Sequence, residues 1–182
     1  MTGAVLAPGY GGTADQPILR ALAARLEAQG VATSRITFST RGKRPSRDYA
    51  AELGDLRAAR DALVASGGPP IALIGRSFGG RMCAFLASLE PPDALIILGH
   101  PISPPGRPRL ADEVALAGIA CPTLIVQGDH DELGPLAVLE RIAGQNPRID
   151  LVVIRGARHE FGARENEAIE AAARWLGSVL RP

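Results

Sequence analysis

Short apolar runs alternate with longer stretches of helical periodicity along the whole chain. The runs are Gly3–Ala7, Ala32–Phe38, Ile71–Gly75, Ala94–Leu98, Thr123–Gln127 and Ile149–Ile154. Ile71-Ala72-Leu73-Ile74 and Leu95-Ile96-Ile97-Leu98 carry no polar residue at alternate positions. A strand with one face in water would show that alternation, so these strands read as covered by helices on both faces. Helices are expected between them, over Pro17–Gln29, Asp48–Ser66, Ser77–Leu89, Pro135–Gln145 and Arg164–Leu180. In the last of these, Ile169, Ala172, Leu176 and Val179 recur at helical spacing. Gly30 follows the first helix and Gly67-Gly68 the second, as helix stop signals do. Strand–helix alternation of this kind predicts an α/β fold with a doubly wound, mostly parallel sheet of about six strands. No repeat, low-complexity tract or linker interrupts it, so residues 1–182 read as one domain.

The sharpest local signal is Gly75-Arg76-Ser77-Phe78-Gly79-Gly80, placed between an apolar strand and a helix. G-x-S-x-G in that context is a nucleophile elbow, a strained turn that presents a serine hydroxyl to open space. Strand and helix crowd together there, and Gly75 and Gly79 remove the side chains that would collide.

A serine hydroxyl needs a base. The chain has three histidines: His100 after the fourth strand, His130 after the fifth and His159 after the last. An elbow serine takes its acid and then its histidine later in the chain, so His159 is the expected base. The acid is expected in Gln127-Gly128-Asp129-His130-Asp131, after the fifth strand. A right-handed crossover brings that loop and the His159 loop to the same sheet edge as Ser77. Asp131 is the expected partner of His159. Asp129, its rival, is expected to cap the turn through backbone amides. These residues carry no helical histidine pair of the kind that holds zinc, and no metal site is expected.

The loop Gly9-Tyr10-Gly11-Gly12-Thr13-Ala14 admits two readings. It matches the dinucleotide fingerprint G-x-G-x-x-A, and Arg41, Lys43, Arg44 and Arg47 could meet the 2′-phosphate of NADP. A dinucleotide site must open its helix within the glycine run, however. Here Asp15 reads as the helix cap and Pro17 as an early helical position. The preferred reading is an oxyanion loop, with the backbone N–H of Tyr10 joining that of Phe78. No cofactor is then required, and the basic stretch Arg41–Arg47 reads as a solvated loop.

Composition adds exclusions. A net charge of +1 supplies no global field for nucleic acid or an anionic membrane. No apolar run approaches membrane-spanning length, and no signal peptide is read at the start of the chain. Cys83 and Cys121 are expected as buried free thiols, which fits a cytoplasmic protein.

Taken together, the chain resembles a group of small α/β-hydrolases, the dienelactone-hydrolase-like family that includes testis-expressed hydrolase-like proteins. The segments that carry the likeness are Gly75–Arg81, His100–Pro108, Pro122–Gly128 and Ala157–Phe161. The resemblance implies the α/β-hydrolase fold, with Ser77, Asp131 and His159 at the family's triad positions. It implies hydrolysis of a small or accessible carboxylic ester or thioester. Dienelactone hydrolases proper use cysteine where this chain has Ser77, so their substrate does not carry over. Some relatives look like scaffolds, which makes a binding module the alternative function. About 22 proline-rich residues separate the fourth and fifth strands, too few for a sizeable lid. An open site is therefore expected, walled in part by His100 and Pro101.

Overall fold

A computed structural model describes residues 2–180. Its core is one sheet of six parallel strands in the order β2-β1-β3-β4-β5-β6. These are β1 (Gly3–Ala7), β2 (Ala32–Arg35), β3 (Ile71–Arg76), β4 (Ala94–Leu98), β5 (Thr123–Gly128) and β6 (Ile149–Ile154). Six helices cover it: α1 (Pro17–Glu27), α2 (Ala50–Gly67), α3 (Phe78–Leu89), α4 (Leu110–Ala117), α5 (Leu136–Gln145) and α6 (Glu165–Val179).

The missing polar alternation has the expected cause. Leu6, Ile74, Ile96 and Val126 face α1 and α6, whereas Val5, Leu73, Ile97 and Ile125 face the helices of the opposite side. Both strand faces are dry, so neither can carry polar groups at low cost.

The differences from expectation lie at element ends and in one loop. β2 stops at Arg35, and Phe38 leaves the sheet to pack edge-on against Phe78 with ring centroids 5.6 Å apart. The apolar character of this run therefore serves the lining of a recess as well as a strand. Gln16, not Asp15, caps α1, although Pro17 does open the helix. A tight turn over Arg47–Tyr49 precedes α2. The eight-residue α4 lies in the proline-rich segment between β4 and β5, where no helix is expected because it is too short for periodicity to reveal. No described helix is long and apolar enough to cross a membrane.

The sheet order reverses at β1, whose neighbours β2 and β3 are reached by connections running in opposite directions. Such a reversal opens a crevice at the carboxyl ends of the strands. The loop after β1 and the elbow after β3 stand side by side there. A Cβ on Gly79 would collide with the carbonyl oxygens of Ala7 and Pro8. Backbone cannot swing aside as a flexible side chain can. Gly79→Ala is therefore expected to cost roughly 1–3 kcal/mol. Gly54→Ala, in α2 with open space around it, should instead stabilise by about 0.5–1 kcal/mol. Urea midpoints of the two variants check the contrast.

Candidate active site

Ser77 sits at φ 50°, ψ −110°, outside the conformations that side chains favour. A Cβ on Gly75 would meet the backbone of Gly79 and Gly80, so the crowding between strand and helix is real and local. The strain is held by tertiary contact: Ser77 N–H donates to Leu98 O at 3.0 Å, and the Ser77 carbonyl accepts from Arg81 N–H at 3.0 Å.

The structure brings Ser77, His159 and Asp131 together. Ser77 Oγ lies 2.8 Å from His159 Nε2, and His159 Nδ1 lies 2.8 Å from Asp131 Oδ2. A carboxylate can only accept, so Nδ1 carries the proton and Nε2 is left to receive one from the serine. The Asp131 side chain is fully buried and His159 retains 14% exposure. The imidazole is thus partly exposed while the carboxylate bonded to it is dry.

Four donors hold that carboxylate. Oδ1 accepts from Leu133 N–H at 2.9 Å and Gly134 N–H at 3.2 Å, and Oδ2 accepts from Gln127 Nε2 at 2.7 Å as well as from His159. Asp129 does the turn work expected of it, accepting from Gly156 N–H at 2.6 Å. It makes no hydrogen bond to His159 among the described residues and ties the β5 loop to the β6 loop.

Two positioning residues escape a sequence reading. Gln127, fully buried at the end of β5, also donates to Gly134 O at 2.9 Å and accepts from His100 N–H at 2.8 Å. Arg76, the variable residue of the elbow, is buried and donates to Leu98 O and to the His159 carbonyl. Burial pushes its guanidinium down from the usual value, while Glu160 and Asp131 oppose the fall. Its guanidinium also lies over the Phe161 ring, 5.5 Å from the centroid. A polar residue ending an otherwise apolar strand was the available signal in both cases.

The glycine loop closes on itself. Gly12 N–H donates to Gly9 O at 3.0 Å, and Gly9 N–H to Gln16 Oε1 at 2.9 Å. Gln16 therefore occupies an amide that a pyrophosphate cradle would need, and α1 opens with a proline that has no N–H to offer. The amides of Tyr10 and Phe78 find no protein acceptor among the described residues. Their rings meet edge-on with centroids 5.8 Å apart, which puts the two loops in direct contact.

His100 requires a correction. It is expected in the wall of an open site, but it is completely buried, and among the described residues neither ring nitrogen has a hydrogen-bond partner. The cause is the grip of Gln127 on the His100 backbone and the absence of a Gly134 side chain, which lets the His100 carbonyl press against Gly134. The imidazole is thereby drawn beneath the site. Pro101 is buried too, yet it lines a recess of about 260 Å³ with Tyr10, Pro45, Ser77, Phe78 and Leu133. The recess is also walled by Arg81 and Arg109.

A family profile described as alpha/beta hydrolase domain matches residues 2–179. The chain belongs to this family. A solved alpha-beta serine hydrolase homologue from Coxiella burnetii is 29% identical, with a TM-score of 0.82 over 97% of this chain and 85% of that one. A dienelactone hydrolase from Anabaena variabilis is 24% identical, with a TM-score of 0.82 over 100% of this chain and 88% of the other. A Xanthomonas campestris protein described as a serine hydrolase without lid is 21% identical, with a TM-score of 0.76 over 98% and 84%. The last two share the fold; no curated protein sequence matches the chain.

Two outcomes follow from the site. Asp131→Asn should lower the turnover of an activated ester by on the order of 10⁴, because the amide can impose the wrong tautomer on His159. Asp129→Asn should lower it far less. Parallel kcat measurements on variants of matched stability decide the order.

The second concerns His100, whose pKa burial lowers to about 4 from an ordinary 6.5. The unfolded chain binds a proton below about pH 6.5 that the folded one refuses until about pH 4. Stability is then complete above the unfolded value and is lost as pH falls through this window. The His100 contribution between pH 7 and 5 is about 2 kcal/mol. His100→Leu should flatten the dependence by that amount, read from denaturation at the two pH values.

Proposed function

We propose that the protein is a serine hydrolase that cleaves a small or accessible carboxylic ester or thioester through an acyl-enzyme. The observation that carries this reading is the continuous hydrogen-bond chain from Ser77 Oγ through His159 to Asp131, with both links at 2.8 Å. It stands at the mouth of a recess on the carboxyl edge of the sheet.

In this reading Ser77 Oγ bonds to the carbonyl carbon as its proton passes to His159 Nε2. The carbonyl electron pair moves onto oxygen, where the N–H groups of Tyr10 and Phe78 receive the charge. The carbon–oxygen or carbon–sulfur bond then breaks, and the leaving alcohol or thiol takes the proton from Nε2. Water repeats the sequence on the acyl-enzyme, releasing the acid and restoring Ser77. Asp131 stays ionised throughout and stabilises the imidazolium. Each step uses only groups of this chain, the substrate and water, so no cofactor enters.

The narrower kinship with dienelactone-hydrolase-like proteins of the testis-expressed group belongs to the same proposal, as does a cytoplasmic setting. The two free cysteines support the setting, since both are buried. Burial also pushes the Cys83 thiol far up, so it does not compete with Ser77 as a nucleophile.

A fluorophosphonate probe tests the reading, because it forms a stable adduct only with an activated serine. The expected result is one adduct, located on Ser77 and absent from Ser77→Ala. A folded protein that refuses the probe would instead be a binding module on a hydrolase scaffold.

A further inference from the structure

The recess beside Ser77 is lined by a cation, Arg109, that forms no ion pair among the described residues. Arg109 caps the N-terminus of α4, and its carbonyl accepts from Asp112 N–H at 2.9 Å and Glu113 N–H at 3.2 Å. A helix N-terminus is already positive, so a cationic side chain there is unfavourable unless an anion attends it. The two acids of the first turn are committed elsewhere. Asp112, buried, takes both Nε and Nη2 of Arg81, at 2.5 and 2.9 Å. Glu113 pairs with Arg141 at 2.5 Å. Arg81 is further held by Tyr49 Oη at 3.2 Å and lies over the Tyr49 and Phe85 rings. Arg109 forms no ion pair among the described residues and is only half-exposed.

The wider surroundings have the same sign. A second recess of about 340 Å³ adjoins the first through Tyr10, Pro45 and Phe78, which line both. Arg41, Lys43 and Arg44 stand in its wall, and neither recess contributes a carboxylate. The loop that bears them is anchored. Buried Glu52 accepts from Thr40 Oγ1 at 2.6 Å and from Ser46 N–H at 3.0 Å. The ends of this loop are thus held in place, and the exposed side chains of Arg41, Lys43 and Arg44 give its wall a positive sign.

We propose that Arg109 selects ester or thioester substrates bearing a carboxylate close to the scissile carbonyl, and that it binds this carboxylate in the recess it shares with Ser77. The inference rests on the hydrolase reading above. A volume of about 260 Å³ falls just below the usual range for ligand cavities and suits a short acyl chain. A planar guanidinium offers two parallel donors to a carboxylate, and its value rises where water is partly excluded. Arg109 meets that condition: burial and the neighbouring Arg81 charge push its guanidinium below the ordinary value. Arg81 cannot play the part itself, since Asp112 already occupies it.

Two esters of near-equal shape make the test. Monoethyl succinate carries the carboxylate, and ethyl 4-methylpentanoate replaces it with an isopropyl group. Hydrolysis of both is followed by pH-stat titration. The wild type should favour the half-ester in kcat/KM. Arg109→Gln should reduce the ratio of the two kcat/KM values by roughly 10- to 100-fold, the worth of a hydrogen-bonded charge. Arg109→Lys should restore part of it. Using the ratio cancels any general damage to the enzyme.

A binding arm separates this proposal from the hydrolase reading. In Ser77→Ala, calorimetric titration with monoethyl succinate should show saturable binding that weakens with added salt and disappears in Ser77→Ala/Arg109→Gln. Equal ratios in wild type and Arg109→Gln, or binding indifferent to Arg109, would overturn the proposal. Failure of the probe to label Ser77 would overturn the hydrolase reading, while the titration still decides the fate of Arg109.

Discussion

Everything at the site hangs on one close approach of backbone to backbone. β3, the start of α3 and the loop after β1 meet at separations that leave no room for a Cβ on Gly75 or Gly79. Dry packing on both sheet faces forces that meeting, because α3 must lie flat on strands whose central side chains are aliphatic. The strain at Ser77 is a consequence. A residue at φ 50°, ψ −110° persists only where the surroundings over-determine it, and here the Leu98 carbonyl and the first turn of α3 do so. The same approach brings the Tyr10 loop against Phe78, whose ring it meets edge-on. Ser77 and the residues proposed as oxyanion donors therefore belong to a single packing unit.

His159 is positioned by a second, separate unit. The loops after β5 and β6 are stitched by Asp129 to Gly156 N–H and by the His130 N–H to the Ala157 carbonyl. Gln127 then acts from the strand end, satisfying Asp131 on one side and the His100 backbone on the other. Arg76 joins the two units, since it leaves the elbow and grips the His159 carbonyl. An interior arginine is costly unless hydrogen-bonded and compensated, and here two carbonyls, Glu160 and the Phe161 face share the task. Ser77 and His159, which are 82 residues apart in the chain, are held in register by this one side chain as well as by their own hydrogen bond.

How far the sequence could be read follows from which features are local. The strands were legible from apolar runs, and the elbow from glycine spacing. Chain order and crossover handedness pointed to Asp131 and His159. What escaped depends on contacts between loops far apart in sequence. The depth of His100 is set by Gln127 and Gly134, 27 and 34 residues later, and nothing in His100-Pro101-Ile102 announces it. The order of the Arg41–Arg47 loop comes from Glu52, which looks like any acid in a helix's first turn. Arg109 looked like one charge among many in a proline-rich tract, and only the commitment of Asp112 and Glu113 to other arginines leaves it alone.

Charge gives the crevice a direction that the hydrogen bonds do not. On the far side of His159 lies an opening walled by Glu132 and Glu160 as well as Arg158 and Arg164, so its charges offset one another. The recesses on the side containing Ser77 and the Tyr10 loop are lined, among the described residues, by cations and no carboxylate. A fold that places Ser77 between a mixed face and a cationic one would, in the hydrolase reading, distinguish the two ends of a substrate before any chemistry begins. In the hydrolase reading proposed above, the oxyanion would also develop on the cationic side, where the field would favour it. A neutral ester would exploit that field only as charge forms in the transition state. A substrate with its own carboxylate would use it twice, for binding and for turnover. The second use requires the carboxylate to be held away from the oxyanion amides, or the two negative charges would compete. Arg109 stands on the α4 segment and the Tyr10 amide on the β1 loop, which supplies the two separate stations that such a substrate demands.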